Sequence, residues 1–275
     1  MSTGLNLKLE EQHQDERDYR FGTHSLPCLA QIPEDERESY LPEGELQNIG
    51  SEKMDCATRS PINILAAKFN WLFRNKVISY PNRKWLLEKG YVLGDKVDFS
   101  DRYVSINAGT TIEGNSLKAP LEAIRKQGLI PKGVLPQVNS FSEYYDPQSI
   151  TVGMSDLGLE FAERFQINYE KVYETHYSDI DDYINVAGYA WSEPKDGVYP
   201  RIDRRPNHAF AIIRRMYYIF DNYIDNGFIK HLAPDYDFYR YGYRVTINEL
   251  PVKQVKLGCF KRWWLFVKPL LKCYN

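Results

Sequence analysis

Cys56 opens a run, Cys56-Ala57-Thr58-Arg59-Ser60-Pro61-Ile62 and onward, in which Ile62, Leu65, Ala66, Phe69, Leu72 and Phe73 recur at helical spacing. The spacing predicts an amphipathic helix with the cysteine near its start. A thiol attacks a carbonyl as thiolate, and the partial positive charge of a helix N-terminus lowers its pKa, more so beside an imidazolium. His208 is the candidate partner. His208-Ala-Phe-Ala-Ile-Ile and Tyr217-Tyr-Ile-Phe-Asp-Asn222 flank Arg214-Arg215-Met216, which reads as a tight antiparallel hairpin. A turn centred on Arg215 sets His208 opposite Asn222, with Cβ atoms about 4.5–5.5 Å apart. Alternation then places His208, Phe210 and Ile212 on one face with Asn222, Phe220 and Tyr218, and turns Asp221 away. Asn222 is the expected orienter of the imidazole; a one-residue slip would exchange the faces and bring Asp221 there instead. Gln47, nine residues before the cysteine, can offer its side-chain amide to a developing oxyanion. These groups together would perform acyl transfer through a thioester.

The remaining titratable residues suggest little else. His13, His24, His176 and His231 have no comparable setting and read as surface or structural. The acidic stretches 179–182 and 221–225 lack the glycine and ligand pattern of a calcium loop. Cys28, Cys56, Cys259 and Cys273 are too few for a disulfide framework and contain no C-x-x-C pair, so no structural metal is expected.

The elements that must position the candidates follow from pattern. A second helix runs through Ser116-Leu-Lys-Ala-Pro-Leu-Glu-Ala-Ile-Arg-Lys-Gln and stops at Gly128, before Pro131. Residues 155–175 read as further helix. Beyond residue 183 aromatic and β-branched runs at 183–191, 208–214, 217–222 and 239–247 predict strands. Helices first and antiparallel strands later imply an α+β protein in two lobes. Its 275 residues, 43% hydrophobic, suffice for a sizeable core. A net charge of −2 supplies no basic field, so nucleic acid is not expected as a partner. No apolar leader opens the chain and no 18-residue apolar run crosses a bilayer, so a cytoplasmic or virion-associated protein is expected.

At this point the residues resemble those of papain-like cysteine peptidases, divergent microbial and phage-type members above all. The resemblance rests on Gln47 ahead of Cys56-Ala57, Gly114-Asn-Ser-Leu through Lys126-Gln-Gly-Leu-Ile-Pro, Pro206-Asn-His-Ala209, and Tyr217-Tyr-Ile-Phe-Asp-Asn222. The histidine lies 152 positions after the cysteine, near the roughly 130–150 of papain-like enzymes. The resemblance implies a helical lobe, an antiparallel β-barrel-like lobe, a cleft between them, and hydrolysis of protein or peptide substrates with Cys56, His208, Asn222 and Gln47 as the site and no cofactor. The chain departs from the family pattern in Ala57 where a tryptophan is usual, in the longer gap from Gln47, in Tyr223 and Ile224, and in Pro61.

The expected organisation is a charged N-terminal arm or strap over 1–40, an inhibitory propeptide or a structural brace, then a papain-like peptidase domain over 41–250 and a basic, aromatic tail over 251–275. The tail carries six basic residues and no acid between Lys253 and Lys272, around Trp263 and Trp264. Residues 258–275 could lie on a membrane surface or dock a partner subunit. Competing functions are an inactive papain-like structural or binding protein, as in a viral or other large assembly, and an acyl transferase or amide hydrolase using the same thioester chemistry.

Overall fold

The structure is a computed structural model, and it describes residues 4–15, 18–22, 26–189, 193–215, 217–223 and 227–251. The tail beyond Pro251 and its expected docking role lie outside the described residues.

The helices are α1 (Leu7–Gln12), α2 (Cys56–Arg74), α3 (Tyr80–Glu88), α4 (Asp101–Asn107), α5 (Lys118–Gln127), α6 (Phe141–Tyr144) and α7 (Val152–Ala162). Strands β1 (Val92–Leu93) and β2 (Lys96–Val97) form a small ribbon. A larger sheet takes β3 (Phe165–Tyr173), β4 (Ile184–Gly188), β5 (Val198–Tyr199), β6 (His208–Arg214), β7 (Tyr218–Phe220), β8 (Ile229–Leu232) and β9 (Tyr241–Glu249) in the order β3-β9-β4-β6-β7-β8-β5. Every pairing in it is antiparallel except β5 with β8. The α+β arrangement matches expectation, but the sheet stays open and does not close into a barrel.

The helix expected over 155–175 is two elements. It ends at Ala162, and Phe165, Ile167 and Tyr169 then alternate inward along β3, which pairs with β9 over its whole length. The period changes from helical to two within that stretch, and the long-range partner β9 decides the outcome.

Helix α2 is the axis of the core. Phe69 packs edge-on against Phe99 and Phe165 at centroid distances of 5.4 and 5.0 Å, each ring contributing about 1.5–3 kcal/mol by burial. The polar side of the helix is buried as well: residues 53–70 are buried without a break. Several of the polar groups there are held by specific partners. Lys68 bonds Asp182 and the Val245 carbonyl, both at 2.7 Å, and Asn70 bonds the Tyr40 carbonyl and the Val97 amide. Pro61 removes one backbone donor in the second turn, yet the helix continues through it.

Candidate active site

Cys56 is the first residue of α2, where the opening N–H groups have no partner within the helix. Asp55 just before it is clamped from three directions. Arg59 donates from Nε to Oδ1 at 2.8 Å, Tyr144 donates to Oδ2 at 2.6 Å, and the amides of Thr58 and Arg59 donate to the Asp55 carbonyl. Asp101 lies 3.2 Å from the same guanidinium. This buried cluster fixes where α2 starts, and therefore where the sulfur sits.

The sulfur meets the sheet at β6, where the Ala209 amide donates to Cys56 Sγ at 3.4 Å. Alanines at 209 and 211, on the face of β6 turned to α2, let helix and strand approach closely. The neighbouring residue, His208, lies close enough to Asp221 and to Cys56 for both to raise its pKa. The Asp221 contact joins Nε2 to Oδ1 at 2.6 Å.

Asn222 is not the residue that holds the imidazole, contrary to the expected register. The β6–β7 pairs are Ala211 with Phe220 and Ile212 with Ile219, one residue later than a turn centred on Arg215 gives. An irregularity between Ile212 and Arg214, together with Tyr217 at φ +70°, absorbs the extra residue. The shift puts Asp221 in phase with Ile219 on the His208 face. Asn222 turns toward α2, accepting from Asn63 at 3.0 Å and donating to the Glu45 carbonyl at 2.8 Å.

The charges around the pair explain its protonation. Burial opposes an imidazolium at His208, but Asp221 and then Cys56 outweigh it and raise the pKa to about 10. Burial likewise opposes the Asp221 carboxylate, and His208 and Lys230 overcome it, so its pKa is lowered. The Lys230 Nζ sits 3.1 Å from Asp221 Oδ2, with neither side chain exposed. The ring of Tyr223 lies 5.2 Å from that of His208, and its hydroxyl donates to Glu52 at 2.7 Å.

Gln47 is buried, and its backbone amide donates to the Asn222 carbonyl at 3.2 Å. Its side-chain amide donates to Glu52, which also accepts from the Met54 amide at 3.0 Å. Gln47 therefore stands beside the loop that follows Asp221, tied through Glu52 to the segment entering α2.

The N-terminal arm crosses this region. The Asn115 amide donates to the Gly4 carbonyl and the Asn6 amide to the Asn115 carbonyl, both at 2.8 Å, while the Leu5 amide donates to the Asn207 carbonyl at 3.3 Å. A Cβ on Gly4 would fall 2.3 Å from the Met54 carbonyl carbon, so the arm is also pressed against the approach to α2. Residues 4–6 thus bridge the helical side and the strand side, and Cys56 is 1% and His208 0% exposed. Glu10 anchors the arm: its carboxylate accepts from the Leu117 amide at 2.6 Å and the Tyr243 hydroxyl at 3.0 Å. The first of these contacts lies at the start of α5, where an anion is favoured.

Xylellain, a cysteine protease from Xylella fastidiosa, superposes on 86% of this chain and 94% of its own with a TM-score of 0.52 and 13% identity. The fold is papain-like. The cysteine protease Amb a 11, a ragweed pollen allergen in its proform, covers 92% of this chain and 76% of its own, with a TM-score of 0.51 and 9% identity. No protein-family model matches the chain, and no curated protein matches it. At these identities the papain-like likeness is one of architecture, and the site rests on its own geometry.

Of the residues singled out from sequence, the papain-like body brings Cys56 and His208 together, sets Gln47 nearby and directs Asn222 elsewhere. Asp221 entered only as the outcome of a slipped register. Lys230, Tyr223, Glu52 and residues 4–6 were missed. Lys230 did leave a signal, since a lysine within the apolar run Phe228-Ile229-Lys230-His231-Leu232 must find an anion if the strand is central.

Proposed function

We propose that this chain is a cysteine-type peptidase in which Cys56 is the nucleophile and His208, oriented by Asp221, is the general acid and base. The observation that carries the reading is one buried imidazole bonded to an aspartate, on the strand whose next amide donates to a thiol at a helix start. The Cys56 thiolate attacks the scissile carbonyl carbon, and the oxyanion takes donors from the Cys56 amide and from Gln47 once Gln47 exchanges Glu52 for substrate. Collapse breaks the C–N bond as His208 gives its proton to the leaving amine. Water then attacks the thioester while His208 takes a proton from it; the S–C bond breaks, a carboxylic acid departs and the thiolate–imidazolium pair is restored. Protein or peptide segments are the substrates.

The arm has a role in the same reading. Residues 4–6 lie where a substrate strand would need the Asn115 and Asn207 backbone groups, so the arm must leave before turnover. Labelling with a thiol-directed epoxide at pH 6 tests both points. The full chain should label slowly, and a chain lacking residues 1–12 should label at Cys56 and cleave an unstructured protein, with cleavage abolished by Cys56→Ala. Labelling spread over all four cysteines in the shortened chain, or none at Cys56, counts against the peptidase.

The complete burial of the candidate pair favours a second reading, a papain-like body kept for binding or assembly without turnover. A shortened chain that labels at Cys56 yet hydrolyses no peptide library would support it.

A further inference from the structure

Lys230 stands behind Asp221 on the side away from the imidazole. It projects from β8, opposite Ile219 of β7, with its side chain wholly buried. Among the described residues its Nζ donates to Asp221 Oδ2 at 3.1 Å, the Tyr223 carbonyl at 2.5 Å and the Gly227 carbonyl at 3.1 Å. Those contacts match the three N–H groups of an ammonium. They also tie down both ends of the loop whose tyrosine ring covers His208.

An aspartate in this position raises a difficulty that an amide would not. A buried carboxylate is costly without a compensating charge. Paired with His208 alone it is compensated only while the imidazole keeps its proton, so every transfer from His208 would leave a lone buried anion. With the ammonium present, the three groups pass from a net charge of +1 to zero when the imidazole gives its proton away. Other groups face the pair as well: Cys56 from α2, Tyr223 from the loop after β7, and Tyr236 from the segment beyond β8, with Glu52 reaching it through the Tyr223 hydroxyl. Among these groups Lys230 alone is a fixed cation.

We infer that Lys230 is a positioning residue of this site, a buried counter-charge that holds Asp221 against His208 and leaves the imidazole able to release its proton. The lowered pKa of Asp221, to which Lys230 contributes after His208, agrees with this arrangement. The inference rests on the reading of His208 as acid and base, but it can be measured without turnover.

The test is the titration of the His208 ring by NMR in the full-length chain. Lys230→Gln should move the titration up by about one unit or more, and Lys230→Arg should keep it near that of the wild type. If Lys230→Gln does not fold, Asp221→Asn and the double variant Asp221→Asn/Lys230→Gln isolate the same charge, and His208 should titrate higher in the double variant. A lysine that only braces the loop would lower stability and leave the His208 titration unmoved, and that result, or a downward shift in Lys230→Gln, overturns the inference. The expected shifts in a chain that cleaves nothing, even without its arm, would sink the peptidase and leave the role of Lys230 standing.

Discussion

His208 carries its charge against the cost of burial, and the sign of that effect sets a pH dependence. Its folded pKa is raised to about 10, so the stability it contributes is complete below its unfolded value of about 6.5 and is lost as pH rises through the folded value. Asp221 is shifted downward; its contribution is present above the ordinary carboxylate range and lost as pH falls through its folded value. Urea denaturation of the wild type and Asp221→Ala should therefore show their widest stability gap between about pH 4 and 6.5, narrowing toward pH 10. A flat gap would mean that the carboxylate and imidazole are not coupled. Activity should divide the neighbouring residues in the same way. In the arm-free chain Asp221→Ala should lower kcat/KM by about 10²–10⁴-fold. Asn222→Ala should instead cost about 1–3 kcal/mol of stability through its lost bonds to Asn63 and the Glu45 carbonyl, leaving the pH profile unchanged.

Two elements decide whether those residues meet substrate. The β6–β7 hairpin chose its face through one irregularity and one residue at positive φ, features that a symmetric turn could not anticipate. The arm passes one especially close point, where Gly114 adopts φ +82° and a Cβ would fall 2.1 Å from the Gly4 carbonyl oxygen. Gly114→Ala should therefore push residues 4–6 aside, raising the alkylation rate of Cys56 and deprotecting the Asn6 amide against hydrogen exchange. If the alanine variant reacts no faster than the wild type, the arm does not govern access. Glu10→Gln should act in the same direction with less strain, since it weakens the anchor at α5 without touching the site.

At the scale of the molecule, α2 joins the helical side to the sheet through buried polar contacts as well as aromatic packing. Lys68 reaches from the helix to the Val245 carbonyl of β9 and to Asp182 ahead of β4. Lys68→Met should cost about 1–3 kcal/mol, because the Val245 carbonyl loses its donor while Asp182 retains Arg244 at 2.9 Å. A neutral effect in thermal and denaturant unfolding would show that packing alone holds the two sides together. Among the described residues no helix is long and apolar enough to cross a membrane.

By itself the sequence determined the periodic and local features: the helix that starts at Cys56, the helix stopped by Gly128, and the strand that begins at His208. Such features depend on side chains a few residues apart, which pattern and propensity report directly. Which of Asp221 and Asn222 faces the histidine depended on one residue of register, and register is set by the whole sheet together with the turn. The strand inside 155–175 needed β9, some eighty residues away in sequence. The charge of Lys230 and the path of Gly4 to Asn6 acquired meaning only from partners distant in the chain. Tertiary structure alone decided them, because a buried charge or a backbone bridge is defined by what lies across from it.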